Sequence, residues 1–141
     1  MEETQPQLSE APLRELIEEF RKGAILLHHG AFLESEEVQR AGWSQYIVVV
    51  RALDAKGPGG RDALIPLLRD PDPGVRAVAC AFLVKRNPEL ALPVLDDLID
   101  NCGTEASGSA SNTKGLYEIE MKRNKSRSNE NQSPPPASKE D

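Results

Sequence analysis

The stretch Asp62-Ala63-Leu64-Ile65-Pro66-Leu67-Leu68-Arg69-Asp70-Pro71-Asp72-Pro73-Gly74-Val75-Arg76-Ala77-Val78-Ala79-Cys80-Ala81-Phe82-Leu83 decides the fold. Between Asp70 and Gly74 lie only Asp, Pro and Gly, residues that preset or tolerate turn dihedrals, and on either side apolar residues recur at helical spacing. Two short helices joined by a tight turn are expected. Leu64, Leu67 and Leu68 face inward from the first, and Val75, Val78, Ala79, Phe82 and Leu83 from the second. The small Ala77, Ala79 and Ala81 let neighbouring helices approach closely. Arg76, one residue after an inward Val, is expected to pair with Asp70 or Asp72 across the turn, a charge-assisted contact that would hold the hairpin angle.

Upstream, Ser9 can cap a helix and Pro12 suits its first turn. Leu13, Leu16, Ile17, Phe20, Ala24 and Leu27 then recur every three or four positions, a stripe that predicts a helix ending near Gly30. Arg14, Glu15, Glu18, Glu19, Arg21 and Lys22 form its solvated face. Ser35 can cap a second helix, with Glu36 and Glu37 complementing the positive end of its dipole. It should run to about Ala55 and stop at Lys56-Gly57-Pro58-Gly59-Gly60. The β-branched run Ile47-Val48-Val49-Val50 would favour a strand on local propensity. The spacing overrides it: Val38, Gly42, Tyr46, Val49 and Leu53 trace one helical face and Trp43, Ile47 and Val50 another. A helix apolar over most of its circumference is expected to be buried between neighbours.

Downstream, Asn87-Pro88-Glu89 supplies a cap and a first-turn Pro, followed by Ala91-Leu92-Pro93-Val94-Leu95-Asp96-Asp97-Leu98-Ile99. From Gly103 the chain reads Gly-Thr-Glu-Ala-Ser-Gly-Ser-Ala-Ser-Asn-Thr, a small-residue linker with little to bury. An apolar island at 115–121 is expected to dock back as one helix or an edge strand, and from Lys122 on the Ser, Asn, Gln, Pro and charge predict an unfolded tail.

Leu64-Ile65-Pro66-Leu67-Leu68, then Asp70, Val75-Arg76, Ala79 and Leu83 resemble one HEAT repeat: Leu-Pro-x-Leu, an Asp in the turn, Val-Arg, and small residues in the second helix. Pro93 follows Pro66 by 27 residues, near the short period of lyase-type HEAT-like repeats. Where a second Val-Arg is due, the linker begins instead, so this unit lacks its second helix or takes it from about 115–121. Taken whole, the chain resembles a small bacterial all-helical family that offers no catalytic residues to carry over. The resemblance implies a fold and the HEAT habit of presenting a concave or edge surface to a protein partner.

Composition agrees with one aliphatic-cored domain: 141 residues, 38% hydrophobic, only 3 Phe, 2 Tyr and 1 Trp. No apolar run approaches the roughly 18 to 20 residues of a bilayer span. The N-terminus starts with acid where a secretory signal carries positive charge, so a cytoplasmic chain is expected. Residues 1–113 hold 11 basic against 18 acidic side chains and residues 114–141 hold 6 against 5, within an overall net charge of −6. An acidic body repels phosphate and attracts basic surfaces, so a basic protein partner is expected rather than nucleic acid or membrane. The tract Lys122-Arg123-Asn124-Lys125-Ser126-Arg127 is short, lacks aromatics and reads as solubilising.

Chemistry-bearing residues are sparse. His28-His29 point about 100° apart on a helix and no ligand follows at i+4, so no metal site is expected. Gly57-Pro58-Gly59-Gly60 lacks the Lys-Ser/Thr of a phosphate loop and reads as a turn. Cys80 and Cys102 are read as reduced thiols: Cys80 in the core, Cys102 more exposed but with no basic neighbour to activate it. With no nucleophile set and no isolated carboxylate pair, no enzyme and no cofactor are expected.

The fold expected is all-α: a compact bundle of about five antiparallel helices with HEAT-like hairpins over residues 9–101, a linker with one docking segment over 102–121, and disordered ends at 1–8 and 122–141. The function expected is that of a non-enzymatic binding module, most concretely an immunity protein that occludes a cognate bacterial toxin. Such proteins are commonly small and acidic, and such toxins often bear basic clefts. Glu34, Glu36, Glu37, Asp70 and Asp72 would steer association, and Trp43 or Tyr46 would supply the desolvated anchor. A plainer reading makes the acids caps and helix ends and puts Trp43 in the core. The alternative function is a structural or regulatory scaffold, a homodimer burying the apolar face of the second helix.

Overall fold

A computed structural model of the chain describes residues 11–131. Five α-helices and one 3-10 helix follow in order: α1 (Leu13–Phe32), α2 (Glu36–Ala55), η1 (Gly60–Arg69), α3 (Pro73–Leu83), α4 (Pro88–Asn101) and α5 (Thr104–Asn131). No strand occurs among the described residues. The expected Ser9 cap, the N-terminal residues 1–8 and the tail beyond Asn131 lie outside them. Pro12 occupies the N-cap position of α1, and the backbone N–H groups of Glu15 and Leu16 donate to its carbonyl.

α1 and α2 form an antiparallel hairpin whose closeness depends on three glycines. A Cβ on Gly42 would stand 2.4 Å from the Leu27 nitrogen and 2.6 Å from the Gly23 carbonyl oxygen, and one on Gly30 would stand 2.6 Å from the Gln39 nitrogen. Here backbone meets backbone, so any side chain would push the helices apart. Ser35 caps α2 as expected, its Oγ accepting from the Val38 N–H at 3.2 Å.

The run 47–50 is helical: tertiary packing overrides β-propensity, because Tyr46, Val49, Val50 and Leu53 turn one continuous face onto Leu16, Phe20 and Ala24 in the core. The expected second buried face holds only in part: Val50 is buried and Ile47 half-buried, but Trp43 is 47% exposed, because α1 and η1 cover mainly the side of α2 that carries Gly42, Tyr46, Val49 and Leu53.

The decisive stretch folds as two short helices around the expected turn, but the first is a 3-10 helix. Pro66 has no N–H to donate and its ring crowds the preceding turn, which favours the tighter winding. Leu64, Leu67 and Leu68 are buried from η1, and Val75, Val78, Ala79 and Leu83 from α3. Asp72 caps α3, accepting from Gly74 N at 2.7 Å and Val75 N at 3.2 Å, with Pro73 in the first turn.

Arg76 does not close the turn. It points along α3 toward α4 and reaches Asp97 at 3.5 Å, while Asp72 is occupied by the cap. Asp70 is held by Arg21 from α1, Nε to Oδ2 at 2.6 Å and Nη2 to Oδ1 at 3.3 Å. The hairpin is therefore tied to α1 through Asp70, in addition to the hydrogen bonds Asp70 and Asp72 accept within the turn. Two further ion pairs bracket the Gly57–Gly60 turn: Arg61 on Asp54 and Arg86 on Asp62, each with two hydrogen bonds that hold the carboxyl below its ordinary pKa.

Residues 103–113 are not a linker. From Thr104 on they open α5, and the tail expected to unfold from Lys122 continues as helix to Asn131. Ala106 and Ala110, one turn apart, are buried against the core, the Ser107 hydroxyl donates to the Ile99 carbonyl at 3.2 Å, and Lys114 meets Asp96 at 2.6 Å. Small residues at this spacing leave room for a close antiparallel approach to α4. α5 thus supplies a full helix after α4, where the sequence was expected to lack one or to take it from about 115–121.

Candidate protein-binding surface

The turn between α1 and α2 is built by its own hydrogen bonds. The Ser35 N–H donates to the Gly30 carbonyl at 2.8 Å and the Glu34 N–H to the Ala31 carbonyl at 3.1 Å, the two bonds of a Schellman motif. Glu34 occupies the position of that motif that glycine favours, with φ of 56° in the left-handed region. A side chain there costs about 1 kcal/mol against glycine. Glu34→Gly is accordingly expected to stabilise the protein by about 1 kcal/mol, raising the melting temperature by roughly 4 °C in a circular dichroism melt. An unchanged or lower value would show that the carboxylate itself stabilises the turn.

Around Glu34 the sequence places more than acid. Phe32 and Leu33 are 71% and 53% exposed, and Glu36 and Glu37 stand exposed in the first turn of α2. Trp43 follows Glu36 by seven residues, two helical turns, and so shares its face, with exposed Arg40 between them. Glu34, Glu36, Glu37 and Trp43 therefore fall on one outward region of the hairpin.

The other expected site residues do not join them. Tyr46 is buried with its ring 5.6 Å from Phe20 and 5.8 Å from Phe82, and burial pushes its hydroxyl above the ordinary tyrosine pKa. Of the two aromatic residues proposed as anchor, only Trp43 reaches the surface. Asp70 is buried, held by Arg21 and accepting the Asp72 N–H at 2.9 Å, while Asp72 is spent on its cap. The short spacing of Asp70 and Asp72 from Pro71 and Pro73 marks them as turn residues, and that use wins.

Phe32 and Leu33 did not stand out in the chain. Their signal is that they follow Gly30, where the apolar stripe of α1 has already ended, so that no core position awaits them.

The remaining histidine and cysteine side chains make local contacts. His28 Nδ1 lies 3.2 Å from the Ala24 carbonyl, and no group of three or more His, Cys, Asp or Glu suited to a metal occurs among the described residues. Cys80 is buried, its thiol donating toward the Ala91 carbonyl at 3.7 Å, and burial pushes its pKa up to about 12. Cys102, expected to lack a basic neighbour, has Arg76 Nη2 at 3.8 Å, brought across by the packing of α3 on α4. No helix among the described residues is long and apolar enough to cross a membrane.

The fold is that of a small all-helical protein in which exposed Phe32, Leu33 and Glu34 at the α1–α2 turn are followed along α2 by exposed Glu36, Glu37 and Trp43. No family model matches the chain, and no curated protein matches it. Among solved structures it is similar to the crystal structure of the protein RPA1889 from Rhodopseudomonas palustris CGA009, at 17% identity and a TM-score of 0.73, covering 82% of this chain and 95% of that one. At that identity the likeness shows the fold alone.

Proposed function

We propose that this chain is a non-enzymatic protein-binding module acting in the cytoplasm, built on HEAT-like helical hairpins, and most concretely an immunity protein that neutralises a cognate bacterial toxin by occlusion. The observation that carries the reading is Trp43: the single Trp of the chain stands half-exposed on the helical face that begins with Glu36, immediately after the exposed Phe32-Leu33-Glu34 turn. Aromatic side chains that become buried on contact dominate binding energy, while charges around them govern encounter. Glu34, Glu36 and Glu37 would attract a basic cleft, and Trp43 with Phe32 would fill it. Glu34 stands in the left-handed region that glycine favours, and its exposed carboxylate supports a use outside the fold.

The test is association with a basic bacterial toxin domain that co-purifies with this chain. Reversing Glu36 and Glu37 to Lys together is expected to slow association about tenfold at low salt and to flatten its salt dependence. Trp43→Ala is expected to speed dissociation about 30-fold, equivalent to about 2 kcal/mol. Kinetics unmoved by either change would remove the surface from the interface.

A further inference from the structure

The turn surface leaves a second set of exposed apolar side chains unused. On α5, Leu116 is 59% and Ile119 51% exposed, and with Ala81 and Val84 of the α3 end they line an open groove of about 410 Å³. On its rim Lys85 is spent on Glu120, at 2.9 Å. Arg123, also on the rim, has no ionic partner among the described residues, and neither have the exposed Lys122, Lys125 and Arg127 beside it on α5. An apolar floor is thus bordered by an unpaired basic edge. The start of α1 lies at the same end of the bundle. α1 runs antiparallel to α3, with His28 against Gly74 and Phe20 against Phe82, so its first turn lies at and past the end of α3. Leu13 shares a shallow surface with Gly59 and Asp62, Asp62 binds Arg86 at 2.9 Å, and Arg86 follows Lys85 of the groove rim.

We propose that this groove binds residues 1–10 of the same chain, with Leu8 on the apolar floor and Glu2, Glu3 and Glu10 toward the basic edge. These ten residues carry three glutamates and no lysine or arginine, the sign opposite to that of the edge. Their tether reaches: from Leu13 back to Leu8, extended chain spans roughly 17 Å. The other segment outside the described residues, 132–141, offers no Leu, Ile, Met or aromatic side chain for the floor. One leucine and a few exposed ion pairs are individually weak, but a tethered segment meets its groove at an effective concentration on the order of millimolar, which a separate molecule does not. The contact is independent of the toxin-binding reading, since the α1–α2 turn lies at the far end of the 20-residue α1, about 30 Å away.

Paramagnetic relaxation in the full chain tests this. A nitroxide on Thr4→Cys, placed in a Cys102→Ser background where the remaining thiol, Cys80, is buried, should remove most of the methyl signal of Val84, Leu116 and Ile119 and less of that of Ala63, which lies on the other side of the α1 start. Reversing Glu2, Glu3 and Glu10 to Lys together should restore the lost signal. Isotope-labelled chain mixed with unlabelled, nitroxide-carrying chain should show no loss, because the contact is within one molecule. Leu8→Ala, without any label, should shift the same three methyl resonances and leave those of Leu33 in place. Broadening at Leu116 and Ile119 no greater than at Ala63 overturns the proposal. So does broadening that survives the charge reversal, broadening that passes between molecules, or a Leu8→Ala spectrum unchanged at the groove.

Discussion

Gly42→Leu is expected to lower the melting temperature by roughly 12 to 20 °C, a loss of about 3 to 5 kcal/mol at about 4 °C per kcal/mol for a domain of this size. The physical reason is that the first atom of any side chain at Gly42 would stand 2.4 Å from the Leu27 nitrogen and 2.6 Å from the Gly23 carbonyl oxygen. Those are main-chain atoms in regular helix and cannot rotate aside, so α1 and α2 must separate along the contact that sets the position of Phe20, Tyr46 and Val49. With total stability of about 5 to 15 kcal/mol for a typical domain, such a change removes a large share of it. Gly115 and Gly108 provide the contrast. Both lie in α5, and a Cβ added at either would meet no atom within 4 Å, so Ala at either should stabilise by about 0.5 to 1 kcal/mol through helix propensity alone. Thermal melts of the three variants read the difference in sign directly; equal effects at Gly42 and Gly115 would show that the hairpin is looser than these distances imply.

Phe20→Ala is expected to cost about 3 to 5 kcal/mol, seen as a lower urea midpoint with an unchanged slope. Phe20 is fully buried, with Tyr46 at 5.6 Å and Phe82 at 6.1 Å between ring centroids, and Arg61 lies over the Phe82 ring at 5.5 Å. This aromatic triangle joins α1, α2 and α3, so removing the Phe20 ring leaves a cavity that three elements must collapse to fill. Trp43→Ala, on the exposed side of α2, should cost less than about 1 kcal/mol, which separates the ring that holds the fold from the ring offered to a partner. A loss at Trp43 as large as that at Phe20 would place Trp43 in the core and remove its role in binding.

The helical class and the hairpin at 62–83 were legible because the apolar spacing and the Asp/Pro/Gly turn both arise from local rules. α2 was legible for the same reason despite its β-branched run. What spacing does not report is the partner across the gap. Gly30 reads as a helix end, Gly42 as one position on an apolar face and Gly23 carries no signal, because their purpose lies in a crossing between helices. Arg21 on Asp70 joins residues 49 positions apart, which no local pattern encodes. Residues 103–113 read as linker because Gly and Ser offer nothing to bury by themselves; Ala106 and Ala110 gain burial from the helices α5 packs against. The candidate surface divided along the same line. Glu34, Glu36, Glu37 and Trp43 lie near one another because they follow one another in a single turn and helix, whereas Tyr46 and Asp70 were claimed by contacts from elsewhere in the chain.

Trp43 emission gives the most direct measurement, since the chain has one Trp and it lies on the surface proposed to bind. In the free protein its fluorescence should be red-shifted and open to iodide quenching. On titration with the toxin domain it should shift to the blue and become protected, in step with complex formation. A complex that forms while Trp43 stays as red and as quenchable as before would contradict the proposed surface.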